Sequence, residues 1–190
     1  MMRFLGIDPG SIATGFGVVE RRGALVGHVA HGTLRPLHSA ELPDRLAFLH
    51  REVAALIALH RPDRVVVERV FAGRSVRSAL VLGEARGAVI AAIAAAGVPI
   101  TEVAPQHVKL AVTGTGAAEK PQVQAMVRRL LALAETPPRD AADALAAALC
   151  GAQAGRLGAL AELHGAFAAR RSGRAHGRGI ASRVVVRRVP

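Results

Sequence analysis

The sequence predicts an α/β domain built on a mixed five-stranded sheet flanked by helices. Three observations carry this. Three β-type runs follow one another closely within the first 34 residues, strand-type and helix-type runs then alternate, and a 51% hydrophobic content over 190 residues is ample for one core of ordinary size. Phe4 to Ile7, Gly15 to Val19 and Leu25 to Leu34 read as strands. The turn residues Pro9-Gly10-Ser11 and Arg22-Gly23 between them make an antiparallel meander, with the first strand central. From Leu42 to Leu59, apolar residues recur at Leu46, Leu49, Val53, Leu56 and Ile57, a helical period that Arg61-Pro62 closes. Residues 64 to 68, "RVVVE", form a short buried strand, and residues 75 to 96 a helix. "VPITEV" at 98 to 103 is the fifth strand, followed by helices over Lys120 to Leu133 and Arg139 to Ala152. No internal repeat is present.

Residues 1–155 are therefore expected to form the domain, and residues 156–190 a basic, partly flexible C-terminal extension. The stretch from 170 onward is rich in Gly and Arg and lacks a helical period, and residues 151–190 carry eight Arg against the single acid Glu162. The formal net charge is +11, and all but two of the 25 basic residues are arginine, whose planar fork suits phosphate. Nucleic acid is the expected partner. With no Trp or Tyr and five Phe, the chain has few platforms for stacking unpaired bases, so backbone charge and shape should dominate recognition. No signal peptide is recognisable, and the most apolar run, Ala88 to Val98, is too short to span a bilayer, so a cytoplasmic protein without a membrane partner is expected. One cysteine excludes an internal disulfide framework, and Cys150 falls in an Ala/Leu helix where a buried thiol is expected. The eight histidines have no metal-ligand spacing, so any metal must be held by oxygen.

The acids of this basic chain fall at particular places. Asp8 ends the first strand and Glu68 ends the fourth, while Asp140 and Asp143 stand three apart at the start of the last core helix and share a face. Each has an ordinary reading. Asp8 with Pro9-Gly10 suits a plain turn, and Asp140 suits a helix N-terminus. Four carboxylates gathered at one sheet end would, however, repel one another, and a hard divalent cation such as Mg²⁺ relieves that. A pair of such ions, roughly 3.5 to 4 Å apart, can orient a water and stabilise the leaving oxygen of a phosphodiester.

Taken together, "GIDPGSIATGFGVV", "VVVERVF", "ALVLGEARG", "GTGAAEKPQVQAMV" and "DAADALAAAL" closely resemble, in order over residues 3 to about 152, the bacterial RuvC family of Holliday-junction resolvases. The resemblance implies an RNase H-like fold and a homodimer that nicks two strands of a four-way junction symmetrically, leaving 5′-phosphate and 3′-hydroxyl ends. It implies Mg²⁺, two ions per site, with Mn²⁺ as a substitute. It also implies a junction-binding and branch-migration complex as partner. The four catalytic and metal-binding acids map onto Asp8, Glu68, Asp140 and Asp143. Some relatives carry histidine in place of Asp140, which makes that position the most replaceable.

The same resemblance assigns DNA contacts to Lys109 and Lys120, the only lysines, and to Phe71, an aromatic placed near the junction centre. Arg74 and Arg77 follow Phe71, and Arg69 adjoins Glu68, where it either meets phosphate or balances charge. A stripe of Ala79, Gly83, Gly87 and Ala91 suits close helix packing, against a second copy or against its own sheet. An "IDxG" strand end also opens the phosphate loop of actin-like kinases. Those contain two copies of such a fold, and this chain has one.

Overall fold

The structure is a computed structural model that describes residues 1–37, 39–69 and 75–154; Phe71, Arg74 and the 156–190 extension lie outside them. Five strands, β1 (Met2–Asp8), β2 (Thr14–Arg22), β3 (Leu25–Leu34), β4 (Arg64–Glu68) and β5 (Ile100–Val103), form one sheet in the order β3-β2-β1-β4-β5. The first three pair antiparallel, and β4 and β5 join β1 in parallel, so the expected mixed sheet with a central β1 is present. Phe4 through Ile7 and Val65 through Val67 are all buried, because strands at the middle of a sheet are covered on both faces and need apolar residues in succession.

Successive side chains alternate between faces. Leu5, Ile7, Val65 and Val67 point to the face covered by α1 (Leu42–His60) and α2 (Val76–Ala95), where Val53, Ile57, Val89 and Ile93 complete one core. Phe4, Val19 and Val66 point to the opposite face, covered by α3 (Pro105–Thr113), α4 (Lys120–Leu130) and α5 (residues 139–154).

Two helices differ from expectation. The nine-residue α3 has no counterpart in the sequence reading, because only Val108 and Val112 of it are buried and two apolar residues one turn apart make a weak period. Helix α4 stops at Leu130 rather than Leu133, since Ala132 turns into the left-handed region at φ 49°. Helix α2 is also more apolar than the run Ala88–Val98 suggests: its 20 residues, with a mean hydropathy of 1.6 in their most apolar 18-residue stretch, are long and apolar enough to cross a membrane by length and composition. Here it lies along α1 and the sheet, burying Ala85, Val89, Ala92 and Ile93. Gly83 and Gly87 are exposed with open space where a side chain would stand, so the small-residue stripe does not pack on its own sheet.

Helix α5 explains the alanines of "DAADALAAALC". Ala141, Ala142, Ala144, Ala146, Ala147 and Ala148 are all buried, and the helix backbone sits directly on glycines of β1 and β2. A side chain at Gly6 would run into the Ala144 carbonyl oxygen, and one at Gly15 into that of Asp140. Small residues on both partners bring helix and sheet together and fix where the helix begins. Cys150 is buried in this helix as expected.

Candidate active site

The parallel register of β1 and β4 pairs Ile7 with Val67, so both strands end together, in Asp8 and Glu68. By alternation from Phe4 and Val66, both carboxylates face α5 rather than the α1/α2 core. The contact of Gly15 with the Asp140 backbone sets the start of α5 over the same sheet end. Behind Asp8 the chain turns through Pro9-Gly10 and is pinned by buried Thr14, whose Oγ1 accepts from the Gly10 N–H at 3.2 Å and donates to the Gly10 carbonyl at 3.0 Å. The turn reading of Asp8-Pro9-Gly10 thus holds for the backbone, and the Asp8 side chain is left to the acid cluster.

The acids act on one another electrostatically. Asp8 has its pKa raised to about 7, above all by burial, then by the charges of Glu68 and Asp143, with Lys120 opposing and Asp140 adding a smaller push. Glu68 is raised as well, by burial first and by Asp143 second, against the opposing charges of Lys120 and Lys109. A carboxyl that keeps its proton near neutrality is poised to give it up to a cation. Asp140 is the outlying member. It is the weakest of the acids acting on Asp8, and Arg35 Nη2 lies 3.6 Å from its Oδ2.

The basic candidates divide. Lys120 Nζ lies 3.1 Å from Asp143 Oδ2, and half-buried Lys109 on α3 acts on Glu68 from a greater remove. Arg69 does not pair with its neighbour Glu68. Its side chain is 3.6 Å from Glu102 on β5, which also accepts from Arg86 of α2 at 2.7 Å. Arg77 is exposed in the first turn of α2. Arg35, Glu102 and Thr14 were not singled out from sequence. Of these only Thr14 carries a local signal, a hydroxyl four residues after a turn glycine.

The donors suit a hard divalent cation: four carboxylates, no sulfur or imidazole among them, and one acid, Asp8, whose pKa is raised first by burial and then by its neighbours' charge. As placed, no three acid, His or Cys side chains among the described residues stand close enough to grip a single ion. The ammonium of Lys120 instead stands on Asp143. Seating a cation on these carboxylates therefore requires the acid side chains to rearrange and Lys120 to give up Asp143.

Comparison with known proteins agrees with this frame. The family model described as "Crossover junction endodeoxyribonuclease RuvC" matches residues 4–151. The chain is 54% identical over 150 residues to the crossover junction endodeoxyribonuclease RuvC of Alkalilimnicola ehrlichii, covering 79% of this chain and 90% of that one. It is 51% identical to that of Halorhodospira halophila, covering 79% and 89%. Among solved structures, Thermus thermophilus RuvC in complex with Holliday junction substrate superposes with a TM-score of 0.79 at 38% identity, over 83% of this chain and 97% of that one. The mixed sheet with helices on both faces is accordingly RNase H-like. With the family model matching residues 4–151 and relatives about half identical over most of their length, this chain belongs to the RuvC family of crossover junction endodeoxyribonucleases.

Proposed function

We propose that the chain is a metal-dependent endonuclease that resolves Holliday junctions by paired, symmetric nicking in recombination and repair. The observation that carries this, beyond family membership, is the convergence of Asp8, Glu68 and Asp143 on one another at the β1/β4 sheet end in a protein of net charge +11. In this reading Asp8, Glu68 and Asp143 hold Mg²⁺, with Asp140 completing the set, and two ions occupy the site with Mn²⁺ as a substitute. The cation supplies Lewis-acid stabilisation of the scissile phosphodiester and an activated water.

The chain's own groups do the rest. The ends of β1 and β4 fix the backbone from which the Asp8 and Glu68 carboxylates project, and Thr14 holds the loop that shapes the Asp8 side of the site. In the metal-free protein Asp8 holds its proton up to about pH 7, and a cation bound there would compete with that proton for the carboxylate. Lys109, Lys120, Arg77 and Arg69 contact the DNA in this reading, and Phe71 and Arg74, outside the described residues, are assigned DNA contacts by the sequence and its family resemblance alone. The exposed stripe on α2 is the surface offered to a second copy, because two cuts related by a two-fold axis need two active sites so related. The basic 156–190 extension adds non-specific affinity for DNA, and a branch-migration complex delivers the junction.

The test is cleavage of an end-labelled synthetic four-way junction. Symmetric nicks in opposing strands are expected with Mg²⁺, none in EDTA, and little on linear duplex. Equal cutting of linear duplex would contradict the proposal, as would no cutting at any Mg²⁺ concentration.

A further inference from the structure

One cation in the acid cluster belongs to the protein itself. Lys120 Nζ hydrogen-bonds Asp143 Oδ2 at 3.1 Å, and the same charge opposes the pKa rise of both Asp8 and Glu68. The lysine backbone is anchored: it opens α4, the Glu119 N–H donates to Gln122 Oε1 at 2.8 Å, and Val123 is buried in the core beneath. Its side chain is 57% exposed and turns about four bonds, so the ammonium can move while its Cα cannot. Lys109, the chain's other lysine, acts on Glu68 but forms no ion pair among the described residues.

We propose that Lys120 is a built-in counter-cation that holds Asp143 until a divalent ion claims that carboxylate, whereupon the released ammonium becomes available to a DNA phosphate. The inference rests on the reading of the four acids as metal ligands. An ammonium on one of the ligand carboxylates relieves the acids' repulsion, and for the same reason it opposes the arrival of a divalent ion. Metal occupancy and phosphate binding are then linked through one side chain that serves them in turn.

The test is Mn²⁺ binding to the full-length, DNA-free protein, followed by electron paramagnetic resonance of the free ion. Lys120→Met should bind Mn²⁺ more tightly than wild type, on the order of tenfold, from loss of one unit charge at contact distance. Lys109→Met should change the affinity by less than about threefold, since its charge lies farther off. An unchanged or weaker affinity for Lys120→Met would overturn the proposal, and so would equal shifts for the two variants, which would mean a general field effect. Asp8→Asn separates this inference from the metal-site reading. If Asp8→Asn binds Mn²⁺ as wild type does, both fall; if it loses the ion while Lys120→Met matches wild type, only the role of Lys120 falls.

A second measurement needs no lysine variant. With two lysines in the chain, ¹³Cε-lysine labelling leaves two side-chain signals to follow. Saturating Mg²⁺ should move the Lys120 signal to the position it has in metal-free Asp143→Asn, where its partner charge is gone. A Lys120 signal unmoved at Mg²⁺ saturation would contradict the release.

Discussion

Asp8→Asn should lower junction nicking by more than about a hundredfold, the upper end of what the loss of a partner supporting a metal site costs, while junction binding stays at or above the wild-type level. Asn preserves the shape at the end of β1 and suits the Pro9-Gly10 turn, so the fold should survive. It removes the charge a hard cation needs, and it relieves the repulsion that a DNA phosphate meets there. The same substitution should flatten the pH dependence of stability in metal-free protein. With its folded pKa near 7 against an ordinary 3.8, Asp8 binds a proton in the folded state that the unfolded chain has already lost. Folded protein therefore loses stability as pH rises through that window, and the penalty is complete above about 7. Asn has no such proton, so denaturation midpoints measured from pH 4 to 8 should fall less steeply in the variant, leaving the share due to Glu68. Near-wild-type nicking by Asp8→Asn would return this residue to the turn alone.

Gly6→Ala should damage stability and cleavage together, although Gly6 is buried beneath α5 and has no side chain to offer a ligand. The added methyl would collide with the Ala144 carbonyl oxygen and come within 2.7 Å of the Ala148 nitrogen. Both are backbone atoms of α5, which cannot rotate aside as a side chain would. Overpacking of this kind costs about 1 to 3 kcal/mol, occasionally more. At about 2 to 4 °C per kcal/mol for a domain of this size, the melting temperature should drop by several degrees. The relief available is for α5 to lift from the sheet, and it carries Asp143 immediately before Ala144, so nicking per folded molecule should fall as well. Gly27→Ala is the control, since nothing stands within 4 Å of a methyl there and its φ is not positive. If calorimetry and nicking show Gly6→Ala equal to Gly27→Ala, the account of helix placement is wrong.

What was legible in the sequence follows from where each signal lies along the chain. Strands β1 and β4 were visible because a run of buried apolar residues ends abruptly in a carboxylate, and α5 because its alanines and paired aspartates keep one face. Strand ends and helix spacing pointed to the acids as a group, but which of them stand near one another depends on the order of elements, and Asp140, beside Arg35, is the outlying one. Contacts made across the sheet left no such local trace. Arg69 stands next to Glu68 in sequence, yet parallel pairing of β4 with β5 sets Glu102 beside it, and that carboxylate takes its charge. Lys120 reaches Asp143 only because α4 and α5 cover the same face, 23 residues apart in the chain. Helix α3 was hidden by its brevity, and the end of α4 by an alanine in a conformation that alanine rarely takes. The burial that raises the pKa of Asp8 likewise exists only after α5 has settled on the glycines.

The central claim is that Asp8, Glu68 and Asp143 hold the catalytic cation, and Mn²⁺-soaked crystals examined at the manganese absorption edge test it most directly. An anomalous peak within coordination distance of the carboxylate oxygens of all three residues is the predicted result. Crystals saturated with Mn²⁺ that show no peak at that sheet end, or peaks only on surface groups such as His28 and His31, would contradict it.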